Sequence, residues 1–113
     1  MPLLGRKRNE NRFDIVGLAA LFLVQVEISP ELKTKYLSRR EQDLKDCFAA
    51  LDSKEVALLE RVGHQIKGNA LTFGFGELAT IGEEMETAAR ALDWNGLKAA
   101  TLKFENFLKT LPR

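Results

Sequence analysis

From Ser29 to the C-terminus, apolar residues recur at intervals of three and four, and the runs stop only where capping or helix-breaking residues stand. A chain patterned in this way folds as a series of amphipathic helices. Ser29 can cap the first, Pro30 suits its opening position, and Glu31 complements the positive end of the helix. If that helix runs to about Leu51, then Leu32, Tyr36, Leu37, Leu44, Cys47, Phe48 and Leu51 form one broad stripe, with charged residues on the reverse face. Asp52 and Glu55 have the spacing of a capping box and predict a second helix over about residues 53–73, closed by Gly74 and Gly76. A third is predicted over about 77–92, with Leu78, Ile81, Met85, Ala89 and Leu92 in phase. Residues 93–96 read as a turn. The fourth, opening at Trp94 or Leu97, carries Leu97, Ala100, Phe104, Leu108 and Leu111 before Pro112 stops it.

Outside the N-terminus no stretch alternates with period two, so there is no evident material for a sheet. The expected class is all-α. Short connections between amphipathic helices favour antiparallel neighbours, which predicts an antiparallel four-helix up-down bundle over residues 24–113, with a short N-terminal extension over 1–23. In that extension Arg6, Lys7 and Arg8 precede an apolar run over 15–24, an arrangement that superficially resembles a secretory leader. Ten residues are too few to cross a bilayer, and Gln25 and Glu27 follow where a leader would place small residues. Residues 1–13 read as a polar tail. Val24, Val26 and Ile28 alternate with polar residues as in a short extended segment, while helix and strand both stay open for 15–24.

Composition narrows the partners. The chain of 113 residues, a length suited to one domain, carries 17 Lys and Arg against 16 Asp and Glu. A net charge of +1 gives no broad field for phosphate backbones, so nucleic acid is not an expected partner. A single cysteine excludes an internal disulfide and fits a reducing, cytoplasmic setting; with one histidine beside it, the usual zinc ligand set cannot be assembled.

The histidine is the informative residue. With Ile66 at the centre of the second helix's core stripe, the 100° helical step places Val56, Leu59, Val62, Ala70 and Phe73 within about 80° of it and His64 at about 160°. His64 therefore faces away from the core, where packing gives no reason for an imidazole. Around it fall Ala57 at about 180°, Gly68 at about 200°, Leu71 at about 140° and Lys67 at about 100°. Small and apolar groups stand where a solvated face would carry Glu, Lys and Gln, as on a surface meant to be covered. Glycine inside a helix costs about 1 kcal/mol relative to alanine. Gly63, beside the core stripe, is read as a close helix approach; Gly68, one turn from His64 on the outer face, clears space in front of the imidazole.

The run His64-Gln65-Ile66-Lys67-Gly68-Asn69-Ala70-Leu71-Thr72-Phe73-Gly74, followed by Leu78, Met85 and Glu86, closely resembles the signature of histidine-containing phosphotransfer (HPt) domains. The likeness extends from about Val24 to the C-terminus and includes Ser29-Pro30-Glu31-Leu32 and Tyr36-Leu37-Ser38-Arg39-Arg40. It departs at Asn69, where members of the family often carry Ser. The resemblance implies a phosphorelay intermediate in two-component signalling. His64 would be the phospho-acceptor, attacking through Nε2. Lys67 would stabilise the phosphoryl group, Gly68 would give the partner access, and Ala57, Arg61, Gln65, Leu71 and Arg40 would contribute to the docking face. The implied partners are receiver domains of response regulators and a hybrid sensor histidine kinase, with Mg²⁺ held by the receiver. No bound cofactor, ATP site, nucleic acid or membrane is implied, and a monomer is expected.

Plainer readings compete. Arg39 and Arg40 fit a solvated helix face, although Arg40 lies near the centre of the first stripe and is either paired at a bundle edge or directed towards the site. Cys47 reads as a small buried hydrophobe, and Tyr36 and Trp94 as packing residues with polar tips at the rim. Glu60 and Glu77 could assist proton transfer only within hydrogen-bond reach of the ring. Two other classes are a non-phosphorylated bundle adaptor docking through the same face, and a hydrolase using His64 as general base, which needs an oriented carboxylate or nucleophile in a concave pocket.

Overall fold

The computed structural model describes residues 28–112, and among them the secondary structure is four α-helices with no strand: α1 (Pro30–Ser53), α2 (Val56–Asn69), α3 (Gly76–Arg90) and α4 (Trp94–Thr110). The expectations for the polar tail and the apolar run over 15–24 lie outside the described residues. Contacts close a ring, with α1 against α2 and α4, and α3 against α2 and α4. The core sits inside it. Cys47 from α1, Leu59 and Ile66 from α2, Leu78 and Met85 from α3, and Leu97, Thr101 and Phe104 from α4 are fully buried. Each of the large apolar side chains contributes roughly 1.5–3 kcal/mol by leaving water. Burial also pushes the Cys47 thiol up to about 12, as expected for a packing residue.

Capping chemistry sets two of the starts. The Ser29 hydroxyl accepts from Leu32 N at 3.1 Å with Pro30 at the opening position, and Asp93 accepts from Gly96 N at 2.9 Å, so the last helix opens at Trp94 rather than Leu97. The Asp52–Glu55 capping box does not form. Asp52 belongs to α1, which continues through Ser53. Lys54 then takes a left-handed conformation (φ 63°), and Glu55 precedes α2 without capping it by its side chain.

The second helix also ends early, at Asn69 instead of Phe73, because tertiary contacts outbid local pattern. Phe73 and Phe75 fold back onto the ring of Tyr36, with centroids 4.1 and 5.9 Å away, and the Tyr36 hydroxyl donates to Asn69 Oδ1 at 2.6 Å. Asn69 thus has a definite duty, holding the Tyr36 hydroxyl at the end of α2. Gly74, at φ +83°, lets the chain turn so that Phe75 N can donate to Ala70 O. Leu92 is a further correction. It lies beyond the end of α3, at φ 54° and 62% exposed, and is not part of the stripe of α3.

The tightest approach is between α2 and α3. A Cβ on Gly63 would stand 2.8 Å from both Glu86 N and Gly82 O, and one on Gly82 would stand 2.7 Å from Lys67 N. Both glycines are therefore required by backbone proximity, as expected for Gly63. The crossing lies directly beneath the His64 face and brings a side chain of α3 within its reach.

Candidate functional site

His64 lies on the outer face of α2 with its side chain 66% exposed, and its partner comes from α3. Glu86 Oε2 lies 2.7 Å from Nδ1. The carboxylate also accepts from Lys67 Nζ at 2.9 Å on Oε1 and from Arg90 Nη2 at 2.9 Å on Oε2. Two oxygens thus meet three cationic or potentially cationic donors. The Glu86 side chain is only 4% exposed, so those donors also satisfy a carboxylate that would otherwise be costly to remove from water. The Lys67 bond first, then that of His64 and the charge of Arg90, hold the Glu86 carboxyl below its ordinary range despite desolvation.

Because an ionised carboxylate can only accept, the proton shared with it sits on Nδ1 whenever the ring is in its neutral form. In that form Nε2 keeps its lone pair, on a ring whose side chain is largely exposed. The arrangement resembles a histidine prepared as a nucleophile or base by an acidic partner that fixes its tautomer and orientation. Gly68 has no atom within 4 Å of where a Cβ would stand, so approach over this turn of α2 is open. Ala57, Arg61, Gln65 and Leu71 are all exposed, Leu71 at 65%.

Arg40 does not belong with them. It is buried in the bundle, its Nε 2.8 Å from Asp43 Oδ2 and its guanidinium 4.6 Å above the Tyr36 ring. Of the two alternatives for this residue, pairing prevails, since an arginine on a core stripe must meet a charge or a ring. Arg39, by contrast, is 73% exposed, in keeping with a solvated face.

Glu86 belongs to the sequence signature but has no role legible there; the fold makes it the partner of His64. Glu60 and Glu77 are not the carboxylates bonded to the ring: Glu60 bonds Arg90 Nε at 3.0 Å, and Glu77 stands in the first turn of α3. A signal existed: Glu86 sits between the core residues Met85 and Ala89, so an acidic side chain at that edge required partners. A shallow depression lined by Ala57, Glu60, Arg61, His64, Glu86 and Arg90 surrounds the ring. It meets the hydrolytic reading's need for an oriented carboxylate, but supplies no Ser, Thr or Cys nucleophile. Among the described residues, no group of three or more His, Cys, Asp or Glu side chains is placed to hold a metal ion, and no helix is long and apolar enough to cross a membrane.

The family model for the Hpt domain matches residues 31–111. No curated protein and no solved structure is significantly similar to the chain.

Proposed function

The chain belongs to the Hpt domain family, whose members are phosphocarriers of two-component phosphorelays, and from that premise we propose that His64 Nε2 takes up and returns the phosphoryl group. The observation that carries this assignment is the engagement of Nδ1, on a largely exposed ring, by the buried carboxylate of Glu86, which leaves Nε2 as the nitrogen free to react. In the forward step the Nε2 lone pair attacks phosphorus of a receiver's aspartyl phosphate in line. The N–P bond forms, the P–O bond breaks, and the aspartate leaves as a carboxylate. The ring then carries Nδ1–H and a phosphoryl group together, and Glu86 offsets the positive charge that this gives the imidazole. Return transfer reverses each event. Lys67, on the row next to His64, attracts the phosphoryl oxygens, and open space at Gly68 admits the receiver. Mg²⁺ and the acidic pocket belong to the receiver.

The docking face consists of Ala57, Arg61, Gln65 and Leu71, and the phosphoryl group originates from a hybrid sensor histidine kinase. The ring of helix contacts and the short connections support an antiparallel up-down bundle. The reading also takes the protein to be a cytoplasmic monomer with residues 24–113 as its bundle.

Incubation with a phosphorylated receiver and Mg²⁺ tests the assignment. The wild-type chain should acquire label that is lost in acid and stable in base, as for a phosphoramidate, and His64→Gln should acquire none while keeping its helical content. Label retained by His64→Gln, or stable in acid, refutes it. Binding without any labelling would favour the adaptor.

A further inference from the structure

Glu86 has two oxygens and three donors, and the donors are not equivalent. Oε1 is served by Lys67 alone, whereas Oε2 is shared by His64 Nδ1 and Arg90 Nη2. Lys67 is also the ammonium that the proposed transfer needs on the phosphoryl oxygens, so one cation faces two anions. When Lys67 turns to the phosphoryl group, Oε1 loses its partner in a side chain that is 4% exposed. An unpaired carboxylate in such a place protonates or swings out to water, and either change removes the acceptor from Nδ1.

Arg90 is built to prevent this. It stands one turn beyond Glu86 on α3, and its Nε donates at 3.0 Å to Glu60 on α2. One planar guanidinium therefore ties a carboxylate of each helix, with its two donors directed by a rigid fork that a lysine lacks. Glu60 aims the fork and offsets its charge. The groups that line the ring from the two helices are Glu60 and Arg61 on α2 and Glu86 and Arg90 on α3, with Lys67 reaching Glu86 from α2.

We propose that Arg90, steered by Glu60, is a positioning residue that keeps Glu86 against His64 Nδ1 while Lys67 is released to the phosphoryl group. This rests on the phosphotransfer reading for the part played by Lys67, while the positioning itself can be read without any transfer. An exposed ion pair contributes little to stability, and the Arg90 side chain is 63% exposed. The consequence therefore lies in where Glu86 stands rather than in the melting temperature.

The tautomer of His64 in the full-length chain gives the direct readout, obtained from two-bond proton–nitrogen correlations of the ring at a pH where it is neutral. Wild type should show Nδ1–H. Arg90→Ala should lose most of that preference and move towards the Nε2–H form, with unchanged helical circular dichroism. Its uptake of the phosphoryl group should slow on the order of tenfold, the scale of losing an outer partner of a functional imidazole. Arg90→Lys, which cannot span both carboxylates with one fork, should fall between the two. Lys67→Ala should keep the Nδ1–H ring and still transfer slowly.

A wild-type tautomer in Arg90→Ala overturns the proposal. So does a Lys67→Ala chain that loses the tautomer to the same degree, because Arg90 would then not be holding Glu86 alone. If the tautomers behave as stated but wild type accepts no phosphoryl group, the positioning stands and the phosphotransfer reading fails.

Discussion

Replacing Gly82 with alanine separates the needs of the fold from the preferences of an isolated helix. In a solvated helix the change should stabilise by up to about 1 kcal/mol. Here the new Cβ would stand 2.7 Å from Lys67 N, 2.8 Å from Gly63 O and 3.0 Å from Ile66 Cγ2, and two of those three atoms are backbone. Ordinary contact begins at 3.4 Å, so α2 and α3 must separate locally by about 0.6–0.7 Å. A gap of that size forfeits a quarter to a half of each affected dispersion contact, and overpacking of this kind costs about 1–3 kcal/mol. Set against the propensity gain, a net loss of roughly 1–2 kcal/mol is expected, or a fall in Tm of roughly 5–15 °C for a domain of this size. Urea and thermal unfolding followed by circular dichroism would measure it. The same displacement lengthens the 2.7 Å His64–Glu86 bond, so the ring should lose its fixed tautomer as stability falls. A Gly82→Ala chain as stable as wild type would show that the closeness of the two backbones does not require glycine.

Gly68 should behave in the opposite way. With nothing near its missing side chain, alanine should leave stability unchanged or raise it by up to about 1 kcal/mol. Alanine, glutamine and larger residues should nevertheless slow receiver binding and transfer in order of size, as stopped-flow transfer assays would show. Glu86 predicts a pH dependence. Its folded-state pKa is depressed below the ordinary 4.5, so its contribution is complete above that pH and is lost as pH falls from 4.5 through the lower folded value. Glu86→Gln should therefore flatten the decline in stability below pH 4.5 in denaturant titrations. Asp43, raised chiefly by burial, acts in the opposite sense, since the folded chain takes up its proton first.

Much of this architecture is legible in the sequence alone, and the parts that are not share a cause. Ser29-Pro30-Glu31 announced the start of α1 because a cap is local chemistry, and the outward direction of His64 and Gly68 followed from the 100° step alone. Gly63 is legible as a close approach because a buried glycine in a helix has few other uses. What could not be read depends on partners distant in sequence. The end of α2 was misplaced because Tyr36, 33 residues before Asn69, calls the chain back. The Asp52–Glu55 spacing was genuine, but α1 outran it. Arg40 was uncertain until Asp43 and the Tyr36 ring took it into the bundle. Glu86 was missed for the same reason, since 22 residues and a helix turnaround separate it from the ring that it holds.

The two faces of α2 have different tolerances for change. Leu59, Val62, Gly63 and Ile66 are committed to the interior, while Ala57, Arg61 and Gln65 reach solvent from the same short helix and Leu71 from the turn just beyond it. Substitutions at such exposed positions usually move stability by no more than about 0.5 kcal/mol. In duplicated copies of such a gene, that outer surface could diverge rapidly, insulating one signalling route from another, while the inner face stayed under purifying selection. Engineers wishing to redirect the domain would likewise find the permissive positions gathered around a histidine whose supporting carboxylate lies on a different helix.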